Sequence, residues 1–156
     1  MGNKLQHGHL DADDGGTLTA AAIPALAANG KVLGNSGTIT TTSTSLVDLT
    51  GASITFTTTA RPVFLSFSGS GGNTTNPQTD FMNFDVDGTA QLGTSGTQFF
   101  AIASGAPPAS HNIAHLADSL TAGSHTFKVR WCVDGGTGTI YATTASPYSF
   151  SAIEIR

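Results

Sequence analysis

Residues 123–136 read GSHTFKVRWCVDGG, and within them Phe127, Val129, Trp131 and Val133 alternate with Lys128, Arg130 and Cys132. A period of two marks a β-strand with one face in a core, because successive side chains leave a strand on opposite sides. The Asp134 and Gly135 that follow tolerate the backbone angles of a tight turn, which predicts a hairpin there. Working outward from Gly37, the same alternation recurs in Ile54 and Phe56, in Val63, Leu65 and Phe67, and in Met82, Phe84 and Val86. The last of these runs into a second turn pair, Asp87 and Gly88. Turn residues punctuate the chain roughly every 8 to 15 residues, a spacing that suits an all-β sandwich or barrel.

Among the 156 residues only 10% are charged, against about a quarter in an average soluble domain. Hydroxyls and backbone must therefore carry much of the solubility. The six basic residues, Lys4, Lys31, Arg61, Lys128, Arg130 and Arg156, are scattered in a chain of net charge −4. No cationic stripe is available for a phosphate backbone or an anionic membrane, so nucleic acid and anionic membrane are poor partners, and neither nucleic-acid binding nor membrane insertion is expected. The single Cys132 has no partner for an internal disulfide and reads as an inert buried thiol. Residues 17–28, TLTAAAIPALAA, follow Asp11, Asp13 and Asp14 rather than a basic segment and contain Pro24. They fit neither a leader peptide nor a membrane span, and the expectation is a soluble protein without a cleavable leader.

The chain divides by composition. Residues 1–36 lack strand alternation and read as an extended N-terminal arm or short shaft, while 37–156 read as one β-sandwich domain. Within the latter, SGSGGNTTNPQTD (68–80) and SGAPPAS (104–110) are the longest loop-like stretches, the kind that binds or moves. No fixed-period repeat is present, which argues against a propeller or solenoid. A two-sheet jelly roll is the first choice, with an immunoglobulin-like sandwich second.

The order of SLVDLTGASITFTT (45–58), RPVFLSFSG (61–69), a strand ending in VDG (86–88), LTAGSHTFKVRWCVDGG (120–136) and a final SAIEI (151–155) resembles the jelly-roll domains of tailed-phage fibre and other virion proteins. These are similar to the complement and tumour-necrosis-factor jelly rolls, and the resemblance implies a homotrimer on a virion surface. HGHLDADDGGTL (7–18) resembles the His-x-His, Asp and paired-Gly segment that precedes such domains in phage fibres. The shaft here is short for a fibre, which leaves a short fibre, a head fibre and a capsid decoration protein open.

His7 and His9 lie on one side of an extended strand about 6 to 7 Å apart. Three copies around an axis would offer six nitrogens to one metal ion, and the resemblance implies iron; an isolated pair of this kind is more often metal-free. Asp11, Asp13, Asp14, Gly15 and Gly16 depart from a calcium loop, which wants an oxygen ligand where Gly15 stands and a Glu where Ala22 stands. His111 and His115 in HNIAH have zinc-protease spacing, but Asn112 occupies the position of the catalytic Glu. On a strand those two rings lie about 13 Å apart. His125 reads as a half-buried packing residue. No Gly-x-Ser-x-Gly elbow and no phosphate-cradling loop occurs, so the chain is not expected to be an enzyme.

The resulting expectation is a structural protein on a tailed-phage virion, a short fibre or tail-associated protein whose outer loops contact a host glycan. Asn73, Asn76, Gln78 and Asp80 would hydrogen-bond sugar hydroxyls, and Tyr141 or Tyr148 would offer a stacking face. The alternative is a capsid decoration or head-fibre protein. In either case the arm, through Ala20, Ile23, Leu26 and Leu33, would lie in a groove on other virion proteins.

Overall fold

The computed structural model describes residues 29–34, 37–75, 77–99 and 109–155. They form strands β1 (Asn29–Gly34), β2 (Gly37–Thr41), β3 (Val47–Thr59), β4 (Val63–Asn73), β5 (Asp80–Val86), β6 (Thr89–Ala90), β7 (Thr97–Phe99), β8 (Ala109–Ala117), β9 (Ala122–Val133), β10 (Gly138–Ala142) and β11 (Tyr148–Glu154). The described residues contain no helix. The chain is all-β, and its strands make two antiparallel sheets packed as a sandwich.

Several short strands are pieces of longer ones. β10 and β11 run end to end along one edge of β4, with Gly138 opposite Asn73 and Glu154 opposite Val63. β1 and β2 run end to end along β11 and β10 in turn. β8 pairs the other edge of β4. In the second sheet β9 lies between β3 and β5, while β7 and β6 share the outer edge of β5. Each sheet is thus four strand positions wide. Numbered along the chain, one sheet has the order first, eighth, third, sixth, and the other second, seventh, fourth, fifth.

This order explains one departure from the sequence reading. Asp87 and Gly88 do make a two-residue hairpin, with φ of 52° and 90° and Val86 opposite Thr89, as the primed turns require. Asp134 and Gly135 do not. Residues 134–137 carry the chain from β9 in one sheet to β10 in the other, with Gly136 rather than Gly135 at positive φ. A turn signal reports local backbone freedom and is silent on whether the flanking strands pair.

A second departure is the stretch 68–80, whose first half belongs to β4 rather than to a loop. Gly71 is the reason. A Cβ there would run into the Thr139 carbonyl of β10, so glycine lets the backbones close up where a side chain would hold them apart. A third is the division at residue 36: β1, read as the end of the arm, is an edge strand of the sandwich. Gly30 and Gly34 lie against Ile54 and the Tyr148 ring, and Val32 packs on the core. Glycines that look like loop punctuation in sequence are here the low-profile residues that let a strand lie flat on large neighbours.

The core follows the alternation that the sequence shows. Val63, Leu65 and Phe67 from β4 face Phe127, Val129 and Trp131 from β9, all at most 2% exposed. Phe84 and Phe150 stack across the two sheets with ring centroids 6.0 Å apart. On β3 the buried positions change parity from Leu49 to Ala52 and Ile54, because a bulge between Asp48 and Ser53, with Gly51 at φ 80°, inserts residues and turns the strand over. β5 is buried on both faces: Asn83 accepts from the backbone N–H groups of Gln91 and Leu92 and donates to the Gly93 carbonyl. Cys132 is a buried free thiol, and burial pushes its pKa up.

Strand direction gives the sandwich two unlike ends. The described chain enters at Asn29 and leaves past Glu154 at one end, together with the β3–β4 and β8–β9 connections. The β2–β3, β4–β5 and β9–β10 connections close the opposite end.

Candidate functional site

At the end away from chain entry, residues 73–80 and 134–138 meet. Asn73, at the tip of β4, donates through Nδ2 to Asp80 Oδ1 and to the Gly135 carbonyl, both at 2.9 Å, and its Oδ1 accepts from the Thr75 N–H at 3.0 Å. Asp134 Oδ1 accepts from the Thr79 N–H at 2.6 Å. The Gln78 side chain lies against Gly135. Asn73 and Asp80, expected from the sequence to face a sugar, are buried at 6% and 3% exposure and act as struts joining two loops. Their polarity is used internally, which is the usual fate of a polar side chain that a fold buries.

Burial raises the pKa of Asp80, opposed by the Asn73 hydrogen bond and the proximity of His111. Asp80 Oδ2 is buried without a hydrogen-bond partner among the described residues. Burial likewise lowers the pKa of His111, which is hydrogen-bonded to the backbone of Gly71. His111 and His115 stand on strand β8, four residues apart along it, so they do not form the helical pair of a zinc protease. No set of three or more His, Cys, Asp or Glu side chains among the described residues is placed to hold a metal ion.

The other end holds a cleft of about 340 Å³ lined by Val86, Asp87, Thr89, Gln91, residues 117–121 and His125. Its organiser is His125, which the sequence marked only as a packing residue. Nδ1 lies 2.5 Å from Asp87 Oδ2 and Nε2 lies 2.9 Å from the Thr121 carbonyl, while the ring tilts against Phe127. A neutral imidazole has a single N–H, so two acceptors call for the imidazolium. Its pKa is accordingly raised, first by the Asp87 hydrogen bond and then by the Thr121 carbonyl. Asp87 is lowered first by the Thr126 N–H and then by His125. With both nitrogens engaged, this ring braces the β5–β6 turn to the β8–β9 connection and has no free base to offer a substrate.

The brace makes a signed prediction. His125 contributes stability fully below its ordinary pKa of 6.5 and loses it as pH rises through the raised folded value. Asp87 contributes fully above 3.8 and loses it as pH falls through its lowered value. Between pH 6.5 and 9 the melting temperature of the wild type is therefore expected to fall relative to that of His125→Ala, read by scanning calorimetry. Parallel curves would show that folding does not raise the pKa of this ring.

The remaining sequence candidates are distributed as follows. Tyr141 is half-buried in β10, on the outer face of its sheet between Thr38 and Ser70. Tyr148 is buried, its ring 5.6 Å from Phe67 and its hydroxyl donating to the Thr50 carbonyl at 2.7 Å, so it offers no stacking face. Leu33 is 56% exposed on β1. His7, His9, Ala20, Ile23, Leu26 and Asn76 lie outside the described residues. The Asp87–His125 pair was missed because its partners are 38 residues apart and meet only through the pairing of β5 with β9. In comparisons with known proteins, no family model matches the chain and no curated protein matches it significantly.

Proposed function

We propose that this protein is a structural, non-catalytic component of a tailed-phage virion surface, a homotrimeric jelly roll carried on an N-terminal arm. The strand order supports the jelly-roll reading: first–eighth–third–sixth facing second–seventh–fourth–fifth is the arrangement of eight strands in two interlocked Greek keys. The observation that carries the functional reading is the polarity of the sandwich. Residues 1–28 join it at the end where Asn29 pairs with Ile153, and the β4–β5 and β9–β10 connections lie at the other end. An arm docked on other virion proteins would therefore hold those connections outward, toward a host surface glycan.

Of the glycan candidates among the described residues, Gln78 stays with that outward end. Asn73 and Asp80 shape it from beneath. The second reading, a capsid decoration or head-fibre protein, uses the same polarity with the arm on the capsid, and His7 and His9 would hold an axial ion such as iron in either assembly. A gold label on the β-sandwich of the protein in purified particles separates them. Label clustered at the tail tip is expected for a fibre, label spread over the head supports decoration, and particles that carry none would refute a place on the virion.

A further inference from the structure

The two outer faces of the sandwich differ in kind. Across β3, β9 and β5 the outer face carries a ladder of charge. Lys128 Nζ is 2.7 Å from Asp48, and Arg130 lies 3.4 Å from Asp48 and 3.5 Å from Asp85. Thr55 and Thr126 extend that face with a hydroxyl pair at 2.9 Å. These groups are paired with one another across the strands, and the face as a whole is polar.

The outer face of the other sheet is built differently. Register places Ile153, Phe64 and Leu116 side by side on three adjacent strands, β11, β4 and β8. They are 41%, 39% and 45% exposed. The next rows inward are Ser151, Ser66 and Ala114, then Ser149, Ser68 and Asn112. Among the described residues of this face the sole charge is Lys31, on the edge strand β1. A row of three large apolar side chains amid small neutral ones, in a chain already poor in charge, marks a face meant to be covered.

We infer that this face, with the row of Ile153, Phe64 and Leu116 at its chain-entry end, is the contact between copies of this chain. The inference rests on the homotrimer reading above and gives it a surface. The choice of a second copy as occupant follows from charge. Around a three-fold axis the same face of each copy turns inward and its side chains approach their own equivalents, so like charges must be absent there, and a neutral apolar face satisfies this automatically. A partner with charges to satisfy would find almost nothing here to pair with. The size is also right: four strand positions about 4.8 Å apart and about 30 Å long give a flat area of roughly 600 Å², the order of what one partner contributes to a stable interface, about 800 Å². The edge of β8 away from β4, which has no strand beside it among the described residues, would be shielded in the same contact.

The test is sedimentation of the full chain at micromolar concentration. Wild type is expected to be oligomeric, and Phe64→Lys with Leu116→Lys to weaken association at least hundredfold. Thr55→Lys, on the charged face, should leave it unchanged. Because the double variant also alters strand-forming residues, Ser68→Lys serves as a second probe: it replaces an exposed serine and removes no core packing, and it should weaken association at least tenfold. Folded variants that associate as well as wild type would overturn the assignment of this face while leaving the homotrimer standing. A monomeric wild type would overturn both.

Discussion

A chain lacking residues 1–36 is expected to lose about 3–5 kcal/mol of stability, while one lacking residues 1–28 keeps the sandwich intact. The difference is β1. Its removal exposes the site where Val32 packs on the core, together with the flanks of Ile54 and Tyr148 on which Gly30 and Gly34 rest. Fully burying one aliphatic side chain is worth roughly 1.5–3 kcal/mol, so the partly buried Val32 gives about 1.5 kcal/mol and the newly exposed flanks of Ile54 and Tyr148 add about 1.5–3 kcal/mol more. The lost ladder bonds and the regained chain entropy roughly offset each other. Against a total of about 5–15 kcal/mol for a domain, the longer deletion is close to unfolding, and it bares the β11 edge to intermolecular pairing. Urea denaturation of both truncations decides this; equal midpoints would mean that β1 contributes nothing. The shorter truncation is also the proper reagent for the arm, since it should stay folded yet fail to incorporate into particles.

Replacing Asn73 by Ala is expected to cost about 3 kcal/mol and to loosen the outward end of the sandwich. Three hydrogen bonds end on this one buried amide, and two of its partners, the Asp80 carboxyl and the Gly135 carbonyl, would be left without it. An orphaned buried polar group costs about 1–3 kcal/mol, more if charged. Asp80 already has one oxygen without a partner among the described residues, so the substitution leaves its carboxyl with neither. Chemical denaturation gives the size of the effect, and hydrogen exchange should show faster opening of residues 73–80 and 134–138. If Asn73→Ala instead kept full stability and reduced attachment to cells, Asn73 would be a contact residue after all and its burial would have to be transient.

By itself the sequence determined which residues of its alternating runs fill the core. Phe127, Val129 and Trp131 enter it because a strand shows alternate residues to alternate faces, and that period survives any choice of neighbours. The same holds for Val63, Leu65 and Phe67, and for the Asp87 and Gly88 hairpin, whose backbone angles those two residues specify locally. Tertiary structure alone decided which strands pair. It turned the Asp134 and Gly135 turn into a crossing between sheets, drew β1 out of the presumed arm, and made strand of the glycines around Gly71, because each outcome depends on a neighbour far away in sequence. The same dependence hid Asp87 with His125, and Ile153 with Phe64 and Leu116. Periodicity is written into a single segment, whereas register exists only between two, and both the His125 cleft and the apolar face of this protein are made of register.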